Sequence, residues 1–598
     1  MTERLLQTSQ NQSSSSRESI VAVVPKEVLT VRRLAVVLIG LEGVLLVALA
    51  VMRGGHPPGH DELNILETGI RMLGNKGNPH DFVHGSFIFD LMAGLHGLVY
   101  LARGLVGFGW DPGQYLAAYV LNRDLYLLAG RLIVVLFSII LLAGVYRLAK
   151  VLYSDSAGLL ATGLLSFGGI LPLTGTSLKE DLLASTLALF SILFLCDASM
   201  RLHSWARWSL AGALCGMAIA AKYTIVALVM APIIMALGSK IESPWRLLTV
   251  FMVSAGATFL LIEPYIVIEL PKTLEAFHRI QGQHFAGGSI RALAPRFLGD
   301  YLPLGLGIPL LCGVLPAAAR ALYGGDVRLR AIIAYFAVVG LIFMWTTGGM
   351  PRYVITLAPF MCVVVAGEIC RWRALAVRRG LVLIGLALLL TWPANIISLK
   401  FIMLLSRPDT RPPAQAWIEA TVPAGSKVLL EGTISGEPTF APALLPTDEW
   451  FKARLEEARA VGSTGQLLQA SALGAAQSGR PRYHLIEKAA EDVADFNGVD
   501  YLVLSDHHSL PHEYFRIVKS DDPDIQPLIR SRQEAMRRVQ EEFTEIFSVS
   551  PVPDLRFDWF DNPDYWRLWS APLENYDQWR LGPVIRVYRR HSLKQAAT

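Results

Sequence analysis

Two carboxylates, Asp61 and Glu62, stand side by side a few residues beyond an apolar run, 34–51, that is long enough to cross a bilayer. Arg53, two glycines, His56 and two prolines separate the run from His60 and the acids. Charges at such a boundary must be solvated, paired or used. A hydrated loop start is the plain reading of the pair; a base offered to a substrate hydroxyl is the chemical one. A second acidic group, Glu180 and Asp181, follows Lys179 in TGTSLKEDLL. Cations and aromatics recur at other breaks between apolar runs: His80 and His84, then Lys222-Tyr223, then His278, Arg279, His284, Arg291 and Arg296, and Arg352-Tyr353 in GGMPRY. Transfer from a phosphate-bearing donor needs a base for the acceptor and positive groups for the departing phosphate.

Each of these residues also has a structural reading. Glu180 and Asp181 suit a helix N-terminus, Lys222 a helix end whose amine snorkels, Arg352 a headgroup anchor, and His84 an ordinary loop. Glu42, inside the first apolar run, has no assigned partner, and Arg131 is read as facing the same cavity as Asp61. There is no HExxH and no nucleotide-binding glycine motif. No cofactor is required, and a divalent ion on Asp61, Glu62 or His60 is left open.

The elements that must position these residues are apolar helices. Hydrophobic residues make up 53% of the 598-residue chain and charged ones 17%, a balance far from that of a soluble enzyme. About eleven transmembrane helices are expected, at 34–52, 125–148, 157–173, 181–199, 208–221, 223–238, 247–268, 300–319, 331–346, 353–370 and 381–403. The two short ones, 208–221 and 223–238, also read as one hairpin with Lys222-Tyr223 at its tip. Short basic loops around Arg147/Lys150, Arg201/Arg207, Lys240/Arg246, Arg320/Arg328/Arg330 and Arg371–Arg379 are kept cytoplasmic by the positive-inside rule. The N-terminus is then cytoplasmic, and the acids and cations named above all face outward. The segment 86–107 mimics a span but is interrupted by Asp90 and His96; it is read as an interfacial helix within a first outer loop, 53–124.

Three regions follow. Residues 1–30 are polar, Ser-rich and expected to be disordered; 31–405 form the membrane domain; 406–598 form a small extracytoplasmic α/β domain. In the last, strands are expected at 427–430, in NGVDYLVLSD and in GPVIRVYRR, with a helix over 526–548. The aromatic run FDWFDNPDYWRLW (557–569) reads as a sugar-stacking platform or a loop on the domain core. The five cysteines lie in or beside apolar runs without a CxxC, which supports neither a disulfide framework nor a cysteine metal site. The net charge of +4 without a basic stripe excludes nucleic acid as a partner.

The order of motifs resembles a known superfamily. The acidic pair is followed by GNPHDFVHGSFIFDLMAGL, GRLIVVLFSIILLAGVYRLAKVLY, SLKEDLLASTLALF, GMAIAAKYTIVALVMAPII and GGMPRYVITLAPF. This is similar to the GT-C polyprenyl-phosphate-dependent glycosyltransferases, on the branch of protein O-mannosyltransferases and lipid A aminoarabinose transferases, across roughly residues 30–405. The resemblance implies a multi-pass plasma-membrane enzyme that takes a polyprenyl-phosphate-linked sugar and glycosylates a hydroxyl of a protein, glycolipid or polysaccharide acceptor outside the cytoplasm, with inversion. It implies Asp61 as catalytic base with Glu62 beside it, Asp181 as the second acid, and Lys222, Tyr223, Arg352 and Tyr353 near the donor phosphate; from the residues themselves, Glu180 is read with Asp181 as the second acidic site, and His84 and Arg279 as further cations for the phosphate. His84-Gly85-Ser86 departs from the Pro-Pro or Lys-Pro of relatives. A transporter or lipid flippase with an outer substrate-binding domain is the rival reading; it predicts repeated halves and charges paired deep in the spans.

Overall fold

The computed structural model describes residues 26–591 except 56–59, 198–202, 239–242, 286–296, 346–350, 372–379, 432–440, 461–464, 489, 494–495, 506–525 and 551–581. The Ser-rich N-terminus, Arg201, Lys240, Arg291, Arg296, Arg373 to Arg379 and the 557–569 aromatic run lie outside the described residues, as do the side chains of His60, Arg279 and His284.

The apolar runs fold as helices because a chain in hydrocarbon must satisfy its own backbone polar groups. Helix α1 (Lys26–Met52) holds the first run; α2 (His60–Gly74) begins at the acidic pair; α3 (Phe87–Leu105) and α4 (Arg123–Leu152) follow. Helices α5 (Glu180–Cys196), α6 (Ser204–Ala221), α7 (Pro244–Ile262) and α8 (Leu270–Phe285) complete the set around the site.

Helix occupies every stretch expected to span, but several of these helices are short or broken. By length and composition, five of those described can cross a membrane, or seven if each of two bent pairs counts as one span. The run 157–173 divides into Asp155–Phe167 and Ile170–Thr174 at Gly168-Gly169. The run 381–403 bends by 81° between Gly380–Leu390 and Ala394–Leu405, where Pro393 removes a backbone donor. After Lys222 the chain winds as a tight 3₁₀ turn, Tyr223–Val229, before the short helix Met230–Gly238. Helix α3, expected to be interfacial, is itself long and apolar enough to span. His96 is buried in it, bonded to Tyr115 Oη at 2.8 Å and to the Leu66 carbonyl at 3.1 Å, so this histidine ties α3 to α2.

Ion pairs sort to the two ends of the bundle. At the far end, Asp155 takes Arg32 at 3.0 Å and Lys150 at 2.9 Å, and Glu368 takes Arg371 at 2.7 Å. The near end carries the site described below.

Residues beyond 406 form a six-stranded sheet in the order β2-β3-β1-β4-β6-β5. Strands β1 (Lys427–Leu430), β2 (Leu445–Pro446), β3 (Arg482–Ile486) and β4 (Tyr501–Ser505) run parallel; β6 (Ile585–Arg590) pairs antiparallel with both β4 and β5 (Phe543–Val549). Both faces of the centre are covered, as parallel strands require: Val428, Leu430 and Val503 pack against Ile418, and Leu429, Leu502 and Leu504 against Val539. The helix expected over 526–548 ends at Glu542, and the following FTEIFSV is strand β5. Its β-branched and aromatic residues, with Pro-free extended pairing to β6 available, suit a strand better than another helical turn.

One buried charge pair holds the open ends of β1 and β4. Glu431 accepts from Ala490 N at 3.0 Å and Ser505 N at 3.2 Å, and takes both arms of Arg532 at 2.5 and 2.9 Å. Removing one member of such a pair strands the other in a dry site. Glu431→Ala is therefore expected to cost the C-terminal domain about 3–5 kcal/mol. The measurement is hydrogen-exchange protection of Lys427–Leu430 and Tyr501–Ser505 in the full chain; protection equal to that of the native chain would show the pair contributes nothing.

Candidate active site

Asp61 and Glu62 are adjacent in the first turn of α2, so helical geometry turns their side chains about 100° apart. They enter different surroundings. Glu62 is 1% exposed and is gripped by Arg131, whose Nε and Nη2 donate to its two oxygens at 3.1 and 2.8 Å. Leu178 N donates to the same carboxylate at 2.9 Å, and Arg53 stands at 4.0 Å. Burial works against the ionised form, but the two guanidinium charges and these hydrogen bonds hold Glu62 well below the usual carboxylate range. Arg131 thus pairs with Glu62, not with the Asp61 cavity it was expected to face.

Asp61 joins a cluster contributed by four chain segments. Lys179, the residue before α5, donates to Asp61 Oδ2, and Arg352 Nη1 donates to the same oxygen at 3.1 Å. Arg352 Nε lies 3.3 Å from Asp181 Oδ2. Lys222 donates to Asp181 Oδ1 and is 3.9 Å from Glu180. The Lys222 amine sits 4.0 Å from the centre of the Tyr353 ring, a cation–π contact, and that ring stacks on Phe343 at 4.9 Å. Three carboxylates thus meet three cations, and formal neutrality lets the cluster lie at the end of an apolar bundle.

Exposure separates the members. The side chains of Asp181, Lys179, Lys222 and Glu180 are at most 8% exposed, whereas Asp61 is 25% and Arg352 17% exposed. Asp61 is the carboxylate that an incoming molecule can touch. The charge of Lys179, with that of Arg352, holds the Asp61 carboxyl well below the ordinary aspartate range.

His84 and Asp81 form a dyad beside the cluster. His84 Nδ1 lies 3.2 Å from Asp81 Oδ2, while Asp81 Oδ1 accepts from Val83 N at 2.9 Å and His84 N at 3.3 Å. Burial opposes ionisation of Asp81, but the His84 ring and these amides bring it down to about 2. For His84, burial lowers and the Asp81, Glu180 and Asp61 carboxylates raise; the net shift is upward. Tyr223, expected at the donor phosphate, instead donates to Glu263 at 3.2 Å and to the His84 carbonyl at 3.3 Å. Glu263 also accepts from Ser86 N. Between them, Gly85 presses on the end of α6: a Cβ there would stand 2.1 Å from the Ala220 carbonyl oxygen. Only glycine fits, which accounts for His84-Gly85-Ser86.

The sequence reading named Asp61, Glu180, Asp181, Lys222, Arg352 and Tyr353, and the structure brings these together. It places Glu62 and Tyr223 behind the cluster. Arg279 lies on α8, with its side chain outside the described residues. Lys179 was not singled out as a cation of the site, although a lysine directly preceding two acids at a helix start was a visible signal. Among the described residues no group of three or more His, Cys, Asp and Glu side chains is placed to hold a metal ion; the site carboxylates are occupied by Lys and Arg.

An apolar helical bundle with a paired-charge cluster at one end and an α/β domain beyond it defines a multi-pass membrane protein with a polar site at one end of its bundle. Residues 117–267 match the family model described as dolichyl-phosphate-mannose-protein mannosyltransferase. That segment contains Arg131, Lys179, Glu180, Asp181, Lys222 and Tyr223, so the resemblance to GT-C glycosyltransferases is borne out there. No curated protein matches the chain. Among solved structures, ArnT from Cupriavidus metallidurans bound to undecaprenyl phosphate is similar at 12% identity and TM-score 0.46, covering 81% of this chain and 94% of that one. The Archaeoglobus fulgidus oligosaccharyltransferase tethered with an acceptor peptide is similar at 12% identity and TM-score 0.48, covering 93% and 88%. Arabinofuranosyltransferase AftD from Mycobacteria gives 13% identity and TM-score 0.41, with 92% of this chain spanning 39% of that one. At this level these likenesses fix neither activity nor ligand.

The dyad yields a pH prediction. The folded value of His84 lies above its unfolded value of about 6.5, so its protonation stabilises the 81–86 turn fully below that value. The contribution is lost as pH rises through the folded value. Hydrogen-exchange protection of the Val83 and His84 amides, corrected for intrinsic rate, is expected to fall above pH 6.5, and Asp81→Asn should flatten that fall. A native profile independent of pH across this window would contradict the assignment.

Proposed function

We propose that the protein is a membrane glycosyltransferase that moves a sugar from a polyprenyl-phosphate donor to an acceptor hydroxyl, with inversion, on the non-cytoplasmic face. The observation that carries this reading is the shared grip of Lys179 and Arg352 on Asp61, the most exposed carboxylate of the cluster. A carboxylate so paired is a poor base, because an effective base has a proton affinity matched to the working pH. An arriving donor phosphate competes for the same two cations. As they turn to it, Asp61 regains basicity at the moment the substrate is in place.

The charges balance through the step. The acceptor O–H gives its proton to Asp61 Oδ1, the oxygen not bonded to Lys179 or Arg352. The acceptor oxygen bonds to the anomeric carbon, and the bond from that carbon to the phosphate oxygen breaks. One negative charge therefore moves from Asp61 to the departing polyprenyl phosphate. Lys179 and Arg352 stand where that charge begins and follow it to where it ends, which favours the transition state over either ground state. Lys222, held by Asp181 and Tyr353, adds a further cation. Asp181 at 1% exposure positions Lys222 and Arg352 and does not itself meet substrate.

With purified protein in lipid nanodiscs and a labelled polyprenyl-phosphate sugar, Asp61→Asn is expected to lower turnover by at least about 10²-fold with insertion intact. Lys179→Met is expected to weaken donor binding as well as turnover, since it serves both. Near-native turnover in the Asp61 variant would sink the proposal, and donor translocation without sugar transfer would favour a flippase.

A further inference from the structure

A cavity of about 630 Å³ is lined by both members of the dyad, Asp81 and His84. Its size is that of a small-molecule site. Helix α2 supplies Asn64, Thr68 and Arg71; the following loop supplies Asn75, His80, Asp81 and His84; α8 supplies Lys272 and Glu275. Asp61, Asn64, Thr68 and Arg71 are spaced by three, four and three residues, so they form one polar stripe along α2 that starts at the candidate base, and Asn75 follows just past the helix end. The link is physical as well as periodic. Asn64 Nδ2 donates to Asp81 Oδ2 at 3.3 Å, and Asp81 holds His84, whose charge acts on Asp61.

The cavity wall is preorganised. Arg71 Nη2 donates to Thr68 Oγ1 at 2.8 Å and to Asn64 Oδ1 at 3.3 Å, which fixes the guanidinium without neutralising it. The loop is tied to the start of α8: Asn78 donates to Glu269 at 2.8 Å, His80 lies 3.7 Å from the same carboxylate, and Tyr265 donates to the Lys76 carbonyl at 2.7 Å. Lys76 and His80 are held at φ of 54° and 52°, a left-handed conformation that costs non-glycine residues free energy. Such conformations persist where the surroundings over-determine them, and they gather at ligand sites.

We propose that this cavity is the acceptor subsite and that it takes a hydroxyl-rich acceptor, a carbohydrate, whose reacting hydroxyl reaches Asp61 while its other hydroxyls bond along Asn64, Thr68 and Arg71. The inference rests on the transferase reading above. The lining decides the class. Amide, hydroxyl, imidazole, guanidinium and carboxylate groups alternate donors with acceptors, as a ring of hydroxyls requires. Among the described lining residues, apolar side chains of a peptide would find only Pro79, Phe82, Val83 and Ala276.

The test uses the full chain in nanodiscs, with mannotriose, maltotriose and a threonine-rich peptide as probes, measured by saturation-transfer NMR and calorimetry. A trisaccharide is expected to bind, and Arg71→Ala and Thr68→Val are each expected to weaken that binding about tenfold, the equivalent of one lost hydrogen bond. Arg71 is exposed, so its variant should fold, and a native thermal melt checks this. No trisaccharide binding, binding indifferent to both variants, or peptide binding that depends on Arg71 would each overturn the proposal. Binding is read without turnover, so the outcome is separable from the transferase reading. Full transfer by Asp61→Asn would remove that reading and leave the binding result to judge the cavity alone.

Discussion

Arg352 donates to Asp61 on α2 and forms an ion pair with Asp181 on α5, and most of the near end of the bundle follows from that constraint. Charges cannot be left alone at the edge of an apolar bundle. Each must find a partner from another segment, and the partners lie far apart in sequence. The Arg352 to Asp61 bond closes a loop of 291 residues, and Lys179 to Asp61 closes one of 118. The packing of α2 against the mouths of α4 and α5 is therefore set by ion pairs as much as by apolar contact. Because the cluster is formally neutral, it tolerates burial.

The cluster divides labour by burial. Glu62 with Arg131, and Asp181 with Lys222, are dry and hold the frame. Asp61 and the edge of Arg352 remain wet enough to exchange partners. Exchange requires that breaking one pair cost little more than making the next, which is easier at partial exposure, where water softens both terms.

Much of this was legible in the sequence, and the remainder was hidden for identifiable reasons. Apolar runs located the helices, since hydropathy is a local property. Helix breaks such as Gly168-Gly169 and Pro393 were written in residues whose effect depends on what packs nearby. Arg131 inside an apolar span demanded an acid, and Glu62 was one of two adjacent candidates; nothing local says which neighbour turns toward it. Asp61 took the opposite side by default. Tyr223 shares a motif with Lys222 yet faces Glu263, because a tight turn begins between them. In the C-terminal domain, the change from helix to strand at Phe543 is a switch from a 3.6- to a 2-residue period inside one amphipathic stretch, which a single helical reading overlooks.

The adjacency of Asp61 and Glu62 carries a further consequence. Two neighbouring residues of a helix are divided between a wet, exchangeable role and a dry, permanent one, and only the register of α2 decides which is which. Inserting one residue inside α2 just after Glu62 would turn the pair by about 100° relative to Ile65, Leu66 and Ile70, which pack the rest of the helix into the core. Glu62 would then swing off Arg131 and Asp61 off its two cations. The phase of the pair within its helix is thus as strict a requirement as the identity of either acid, and the pair is bound to the apolar face that follows it.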